Sequence, residues 1–165
     1  SIRAIADAVG VSPPSIYLHF ADKDALIHAV CELQFRRLDA IVAETQGDAD
    51  DPVERLCRRG QAYVRFGVEH PEHYRLMLMG KSHFDGSESS LPGAGSFMAL
   101  VDNVQACMDA GAFAPDDPVA VATVLWAAVH GVTSLRIAVP GFPAFREADA
   151  VLDRMLGALA RGLAP

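Results

Sequence analysis

The chain has 165 residues, 51% of them hydrophobic, and a formal net charge of −7. This length and apolar content suit one or two small domains with a substantial core and exclude a disordered tail, while the negative charge argues against a protein that binds nucleic acid over its whole surface. Polar residues interrupt the apolar runs before they reach the ~20 residues of a membrane span, and three widely spaced cysteines indicate neither a disulfide framework nor a zinc site.

Apolar residues recur with helical spacing from the start of the chain. Strand-type alternation is nearly absent, so we predict an all-α fold. Ile2, Ile5, Ala6 and Val9 form the apolar stripe of a short first helix. Gly10 follows them and can end that helix in a left-handed cap.

The next segment, VGVSPPSIYLHF, predicts a turn followed by a second short helix. Ser12 is suited to the N-cap position, and Pro13 and Pro14 fit the first helical turn, where a missing backbone N–H costs nothing. A helix, a turn containing glycine and a second short helix together predict a helix-turn-helix unit.

The second helix has an inner and an outer face. Ile16 and Phe20 are four residues apart, and we expect them to pack on Ile5 and Val9. The other side chains then point outward, and their hydroxyl and imidazole groups are suited to contacts in a DNA groove. These outward residues are Ser15, Tyr17, Leu18 and His19.

The charge distribution favours DNA contacts in the first part of the chain. Basic and acidic residues balance from Ser1 to Arg37, so the acidic excess lies downstream. Lys23 stands at the start of the third predicted helix, whose N-terminal amides also favour a phosphate.

Helical segments account for most of the remaining sequence. A Gly- and Ser-rich stretch among them, Lys81–Pro92, is predicted to be a mobile loop. A third helix is predicted from Asp22 or Lys23 to about Glu44. A fourth begins at Pro52 and ends at the break formed by His70–Pro71, and a short helix follows that break to about Met79. Three more are predicted near Gly93–Ala110, Pro118–Ala138 and Ala144–Gly162.

The helix-turn-helix pattern by itself is also compatible with a helical hairpin that has a polar face. The stretch IRAIADAVGVSPPSIYLHFADKDALI, however, resembles the DNA-binding domain of TetR/AcrR-type transcriptional repressors, above all in its Tyr-x-His-Phe-x-x-Lys spacing. A weaker resemblance extends to AYVRFGVEHPEHYRLMLMG and to Trp126-x-x-x-His130-Gly131, which look like the C-terminal domain of a subgroup named for its W-H-G residues.

The resemblance implies a role for particular residues. Tyr17, His19 and Lys23 match residues that grip phosphates in the family. Three residues match family residues that approach base edges: Ser12, Pro13 and Ser15. Ser1 matches a residue that contacts the DNA backbone. The implied function is a DNA-binding regulator, a ligand-released repressor that binds a palindromic operator as a dimer.

Two parts are expected: a DNA-binding domain with its connecting helix over residues 1–44, and an effector-binding and dimerisation domain over residues 45–165. Repressors of this type begin with a further helix before the position of Ser1. We expect that helix to be missing from this sequence rather than from the natural protein.

Aromatic and methionine side chains are abundant in the second part. For most of them an ordinary helical core is the simpler interpretation. The resemblance and their adaptability also favour a cavity for a small apolar effector. This effector should be uncharged or weakly charged, because no Arg pair or buried carboxylate is evident to neutralise an ion. The candidate effector residues are Tyr63, Phe66, Tyr74, Met77, Trp126 and His130.

The last two helices are predicted to form a two-fold dimer interface, because the penultimate helix is apolar on two sides and needs cover on both. One side comprises Val121, Val124, Leu125, Ala128, Val132 and Leu135, and the other Val119, Trp126, His130, Thr133 and Ile137. The last helix adds Val151, Leu152, Met155, Leu159 and Leu163.

The remaining candidate metal ligands and nucleophiles are weaker functional signals. His70 and His73 share a helical face but have no obvious third ligand, so we predict no metal and no cofactor. Cys57 fits a core position better than that of a nucleophile.

The alternatives to a regulator are a helical enzyme and an interaction module without DNA binding. No arrangement of catalytic residues supports the enzyme. We expect a cytoplasmic protein without a membrane partner.

Overall fold

The computed structural model describes residues 1–80, 92–143 and 148–165, and within these ranges the chain is all-α. A π-helical turn, Arg75–Met79, directly continues α5. The predicted loop Lys81–Pro92 lies outside the described residues except for Pro92. The helices are α1 Ile2–Val9, α2 Pro13–Tyr17, α3 Lys23–Gln46, α4 Pro52–Glu69, α5 Pro71–Tyr74, α6 Ala94–Asp109, α7 Pro118–Ala138 and α8 Ala148–Leu163.

The helix termini follow from local sequence. Gly10 adopts the left-handed conformation with a φ of 75°. The Ser12 hydroxyl accepts a hydrogen bond from the backbone N–H of Ser15, and the Asp22 carboxylate accepts one from that of Ala25. These caps confirm the predicted turn and the start of α3 at Lys23, because each side-chain oxygen satisfies an N–H that the helix itself leaves free.

The N-terminal unit has its own small core. Ile2, Ala6 and Ile16 are buried together, and Ile5, Phe20 and Leu26 pack against them. The predicted packing of Val9 is wrong, because its side chain is 64% exposed. Since α2 has only five residues and packs on the first turns of α1, it leaves the last turn of α1 uncovered.

The larger core lies around α4 and α7, which pack on each other and on their neighbours α3, α6 and α8. Gly67 of α4 marks the closest approach. A Cβ atom at this position would lie 2.3 Å from Cγ2 of Thr133 and 2.8 Å from Cδ2 of Tyr74. Gly131 of α7, by contrast, marks no close contact within the chain, because a Cβ at this position would meet no atom within 4 Å.

Helix α7 leaves much of its apolar surface uncovered in the single chain. By length and composition alone it could cross a membrane, yet a core helix of a soluble protein passes the same test, and only 28% of its most apolar window is buried. The predicted division into two sides is wrong in detail. Val121, Leu125 and Thr133 are buried, whereas Val124 and Leu135 are 56% and 52% exposed.

The uncovered surface is one continuous face of α7, which we call the α7 stripe. Its members recur at helical spacing and are exposed or half-buried: Ala120, Val124, Ala127, Gly131 and Leu135. On α8, Val151 and Ala158 are also exposed. Leu152 is buried in the core of its own chain, contrary to its predicted place in a dimer interface. Leu159 and Leu163 are half-buried and pack against a second cluster of the same chain.

Candidate DNA-binding surface and effector site

The outward face of α2 and the turn after it form the candidate DNA-binding surface. Tyr17 is 55% exposed, and Leu18 and His19 are exposed beside it. The hydroxyls of Ser12 and Ser15 lie 2.8 Å apart at the start of α2. These side chains therefore project from one short helix, held by the burial of Ile16 beneath it.

Two further candidate residues lie at helix starts. Ser1 caps α1, its hydroxyl accepting from the backbone N–H of Ala4. Lys23 is the first residue of α3 and is exposed. The free amides at the start of α3 and the Lys23 ammonium are both suited to a phosphate group, and the side chains of Tyr17, His19 and Lys23 are all exposed.

In the C-terminal part, four of the predicted effector residues form one hydrogen-bonded cluster. The Trp126 indole N–H donates to the Tyr63 hydroxyl over 3.2 Å. The two tyrosine hydroxyls lie 3.1 Å apart, and the Tyr74 hydroxyl is 2.7 Å from Nδ1 of His130. The tyrosine rings meet edge to face, and the Tyr74 and His130 rings stack. We call these four residues the Tyr–His cluster.

Burial keeps the Tyr–His cluster neutral. It raises the pKa of both tyrosine hydroxyls and lowers that of the His130 imidazole, because each charged form would lose its hydration. The indole N–H and both hydroxyls are used as donors if Trp126 donates to Tyr63, Tyr63 to Tyr74, and Tyr74 to Nδ1 of His130. In this tautomer, assigned from the hydrogen-bond pattern, the Nε2–H of His130 has no partner among the described residues.

The other two predicted effector residues occupy different environments. Phe66 is fully buried in the core, with its ring edge against His70. Met77 is half-buried in the π-helical turn and packs against the same core.

Two arginines of α4, Arg55 and Arg59, both line a surface cleft, and none of the residues that line it belongs to the Tyr–His cluster. Their i, i+4 spacing could have indicated a common face, but nothing in the sequence shows that this face borders a cleft.

Over the described part of the chain, no group of three or more His, Cys, Asp or Glu side chains could hold a metal ion. His70 and His73 stand with ring centroids 5.8 Å apart. Cys57 is half-buried, and burial together with nearby carboxylates raises the pKa of its thiol, which disfavours the nucleophilic thiolate.

Comparison with known proteins places this geometry in a family. Residues 1–30 match the family described as bacterial regulatory proteins, tetR family. Residues 56–159 match the family described as tetracyclin repressor-like, C-terminal domain. A search of curated proteins finds no match.

Solved structures have the same fold. A protein of unknown function from Rhodococcus sp. RHA1 is 30% identical, with a TM-score of 0.81 over 100% of this chain and 85% of that one. The fatty acid degradation regulator FadR from Bacillus halodurans is 15% identical, with a TM-score of 0.80 over 99% of this chain and 88% of that one. The ketosteroid transcriptional regulator KstR2 of Mycobacterium tuberculosis is 21% identical, with a TM-score of 0.68 over 100% of this chain and 85% of that one.

The two family matches together cover most of the chain, including the helix-turn-helix unit and the helices around the Tyr–His cluster. Members of this family are non-enzymatic regulators that bind DNA operators and small-molecule effectors as dimers. The interpretation as a helical enzyme is thereby excluded. The chain belongs to the TetR family and is a DNA-binding transcriptional regulator.

Proposed function

We propose that the protein is a cytoplasmic repressor that binds a palindromic operator as a two-fold dimer and releases it when a small apolar effector binds. The observation that carries this proposal is the exposure of Tyr17, His19 and Lys23, which lie on or directly after a capped short helix. On this proposal Ser12, Pro13 and Ser15 approach base edges, and the effector favours a dimer whose recognition helices are wrongly spaced for successive major grooves.

The α7 stripe supports a dimer built on α7 and α8. Its residues are apolar or small, and the neighbouring face of α8 exposes Val151 and Ala158. In a two-fold assembly the same stripe meets its own copy, so the surface is covered on both chains at once. Small residues at Ala127 and Gly131 would let the two copies of α7 approach closely.

Replacing Val124 by glutamate should convert the dimer to monomers at micromolar concentration, because the two-fold axis brings two carboxylates together in an apolar contact. Light scattering measures the mass directly. The matched control is Val119→Glu, which changes another exposed valine of α7 outside the stripe and should leave the dimer intact. A wild-type monomer, or a dimer unaffected by Val124→Glu, contradicts the proposed interface.

The Tyr–His cluster supports an effector site in the C-terminal part. Trp126 remains 38% exposed although its indole N–H bonds to the buried Tyr63, and Phe97 packs on its ring. An uncharged apolar molecule beside these rings could accept a hydrogen bond from Nε2 of His130. Such an arrangement, apolar walls with a single polar contact, is typical of small-molecule sites.

Titration with 2-nonanone, an uncharged apolar ketone, should quench the fluorescence of Trp126 saturably and release operator DNA over the same concentration range. His130→Leu removes the imidazole donor and should weaken ketone binding about fivefold, since one hydrogen bond contributes roughly 1 kcal/mol. The control is His73→Leu on α5, which lies outside the cluster. Quenching that is unchanged in His130→Leu argues against this site.

A further inference from the structure

A second candidate site lies at the junction of α3, α4 and α6. A cleft of about 220 Å³ opens where α3 ends at Gln46 and where Arg55 and Arg59 project from α4. The remaining lining residues come from α6 and are Ala99, Asp102, Asn103 and Ala106. None of the lining residues belongs to the Tyr–His cluster, so the cleft concerns a binding event beyond the function proposed above.

The two arginines have unused hydrogen-bond donors. Within the described ranges the guanidinium of Arg55 makes no hydrogen bond or ion pair, and that of Arg59 makes one long contact, 3.4 Å to the carbonyl of Ser96. The Nε–H of each is buried and has no partner. Buried donors are normally satisfied, and leaving one unpaired costs roughly 1–3 kcal/mol.

Arg58, which lies between them on α4, is a useful contrast. Its guanidinium pairs with Glu54 and donates to the carbonyl of Gln46, the last residue of α3. Arg58 therefore holds the α3–α4 junction together. Arg55 and Arg59 have no comparable structural bonds, although they line the cleft beside it.

The amide side chains that line the cleft are bonded within the protein. Gln46 donates to the carbonyl of Arg55 and to the side-chain oxygen of Asn103, whose amide in turn donates to the carbonyl of Pro52. These bonds hold Gln46 and Asn103 in place without using the guanidinium groups. The positively charged donors of the cleft are therefore those of Arg55 and Arg59.

The charges around the cleft favour an anion of low charge. Burial lowers the pKa of Arg59, and the attraction of Asp39 opposes this only in part, so a further negative group would stabilise its charged form. Asp102 stands exposed among the lining residues and repels anions. The repulsion is weaker for a monoanion than for a dianion.

We propose that this cleft binds a small organic carboxylate, held between the guanidinium groups of Arg55 and Arg59. A planar guanidinium matches a carboxylate in geometry, and charge-assisted hydrogen bonds of this kind are roughly twice as strong as neutral ones. The volume suits a molecule of a few carbon atoms or the acidic end of a longer one. A bound carboxylate joins α4 to α6 next to the end of α3, the helix that leads from the DNA-binding unit.

The test follows the arginine Nε–H resonances of the full chain by ¹⁵N NMR during titration with sodium butyrate. Saturable shifts confined to Arg55 and Arg59 are expected. Arg55→Met and Arg59→Met should each weaken butyrate binding about tenfold or more, because each removes a charge-assisted bond. Arg65→Gln is the matched control, since Arg65 lies on the exposed side of α4 and its guanidinium donates to the hydroxyl of Thr45 rather than lining the cleft.

Titrations with two further compounds distinguish a carboxylate site from a site for a neutral molecule or for phosphate. Butyramide has the shape of butyrate without its charge and should produce no saturable shift, and inorganic phosphate should bind more weakly than butyrate. Tighter binding of phosphate, equal binding of butyramide, or butyrate affinity unchanged in Arg55→Met would overturn the proposal. Arg55→Met keeps the test valid if Arg59→Met fails to fold, because the guanidinium of Arg55 makes no hydrogen bond or ion pair with the described residues.

Discussion

Replacing Gly67 by alanine should lower the free energy of unfolding by about 3 kcal/mol, at the upper end of the cost of inserting a methyl group into a packed core. The added Cβ would lie 2.3 Å from Cγ2 of Thr133 and 2.8 Å from Cδ2 of Tyr74. Both neighbours are completely buried. Thr133 cannot rotate away without losing the hydrogen bond from its hydroxyl to the carbonyl of Val129. Urea denaturation followed by circular dichroism measures the loss.

Two variants make this prediction specific. Gly95→Ala changes another helical glycine where a Cβ meets nothing within 4 Å, so it should leave stability unchanged or raise it by up to about 1 kcal/mol. Thr133→Ser removes the nearest methyl group but keeps the hydroxyl, and combined with Gly67→Ala it should recover part of the loss. Equal urea midpoints for Gly67→Ala and Gly95→Ala would contradict the packing described.

The second large effect is expected on DNA affinity. Combining Tyr17→Phe with Lys23→Ala should weaken binding roughly 100-fold or more, because hydrogen bonds to a charged phosphate are each worth about 1.5–3 kcal/mol. The loss should be similar for all duplex sequences, and the dependence of affinity on salt should become shallower by about one counterion for Lys23. Fluorescence anisotropy with a palindromic duplex selected by the protein from a random pool measures both quantities.

The controls distinguish phosphate contacts from base contacts. Ser15→Ala should change the preference among duplex sequences more than the affinity for non-specific DNA. Arg65→Gln removes one positive charge from the exposed side of α4 and should have little effect on either. An affinity of the double variant equal to that of the wild type would remove the assigned role of α2 and Lys23.

Sequence alone determined the features that depend on neighbours in the chain. The capped turn at Gly10, the cap at Ser12, the start of α3 at Lys23 and the outward face of α2 all rest on residues within four positions of one another. At that range, backbone preferences and side-chain caps decide the structure, and they can be recognised without knowledge of the fold.

Only the tertiary structure decided which apolar faces are covered and which polar groups meet. The bonds of the Tyr–His cluster join His130 to Tyr74 and Tyr63 across 56 and 67 positions of sequence. The close approach at Gly67 likewise depends on where α7 crosses α4, and the unused donors of Arg55 and Arg59 depend on where α6 lies. A helical pattern shows that a face is apolar, but whether its own core, a partner or a ligand covers that face is decided by the packing of distant helices.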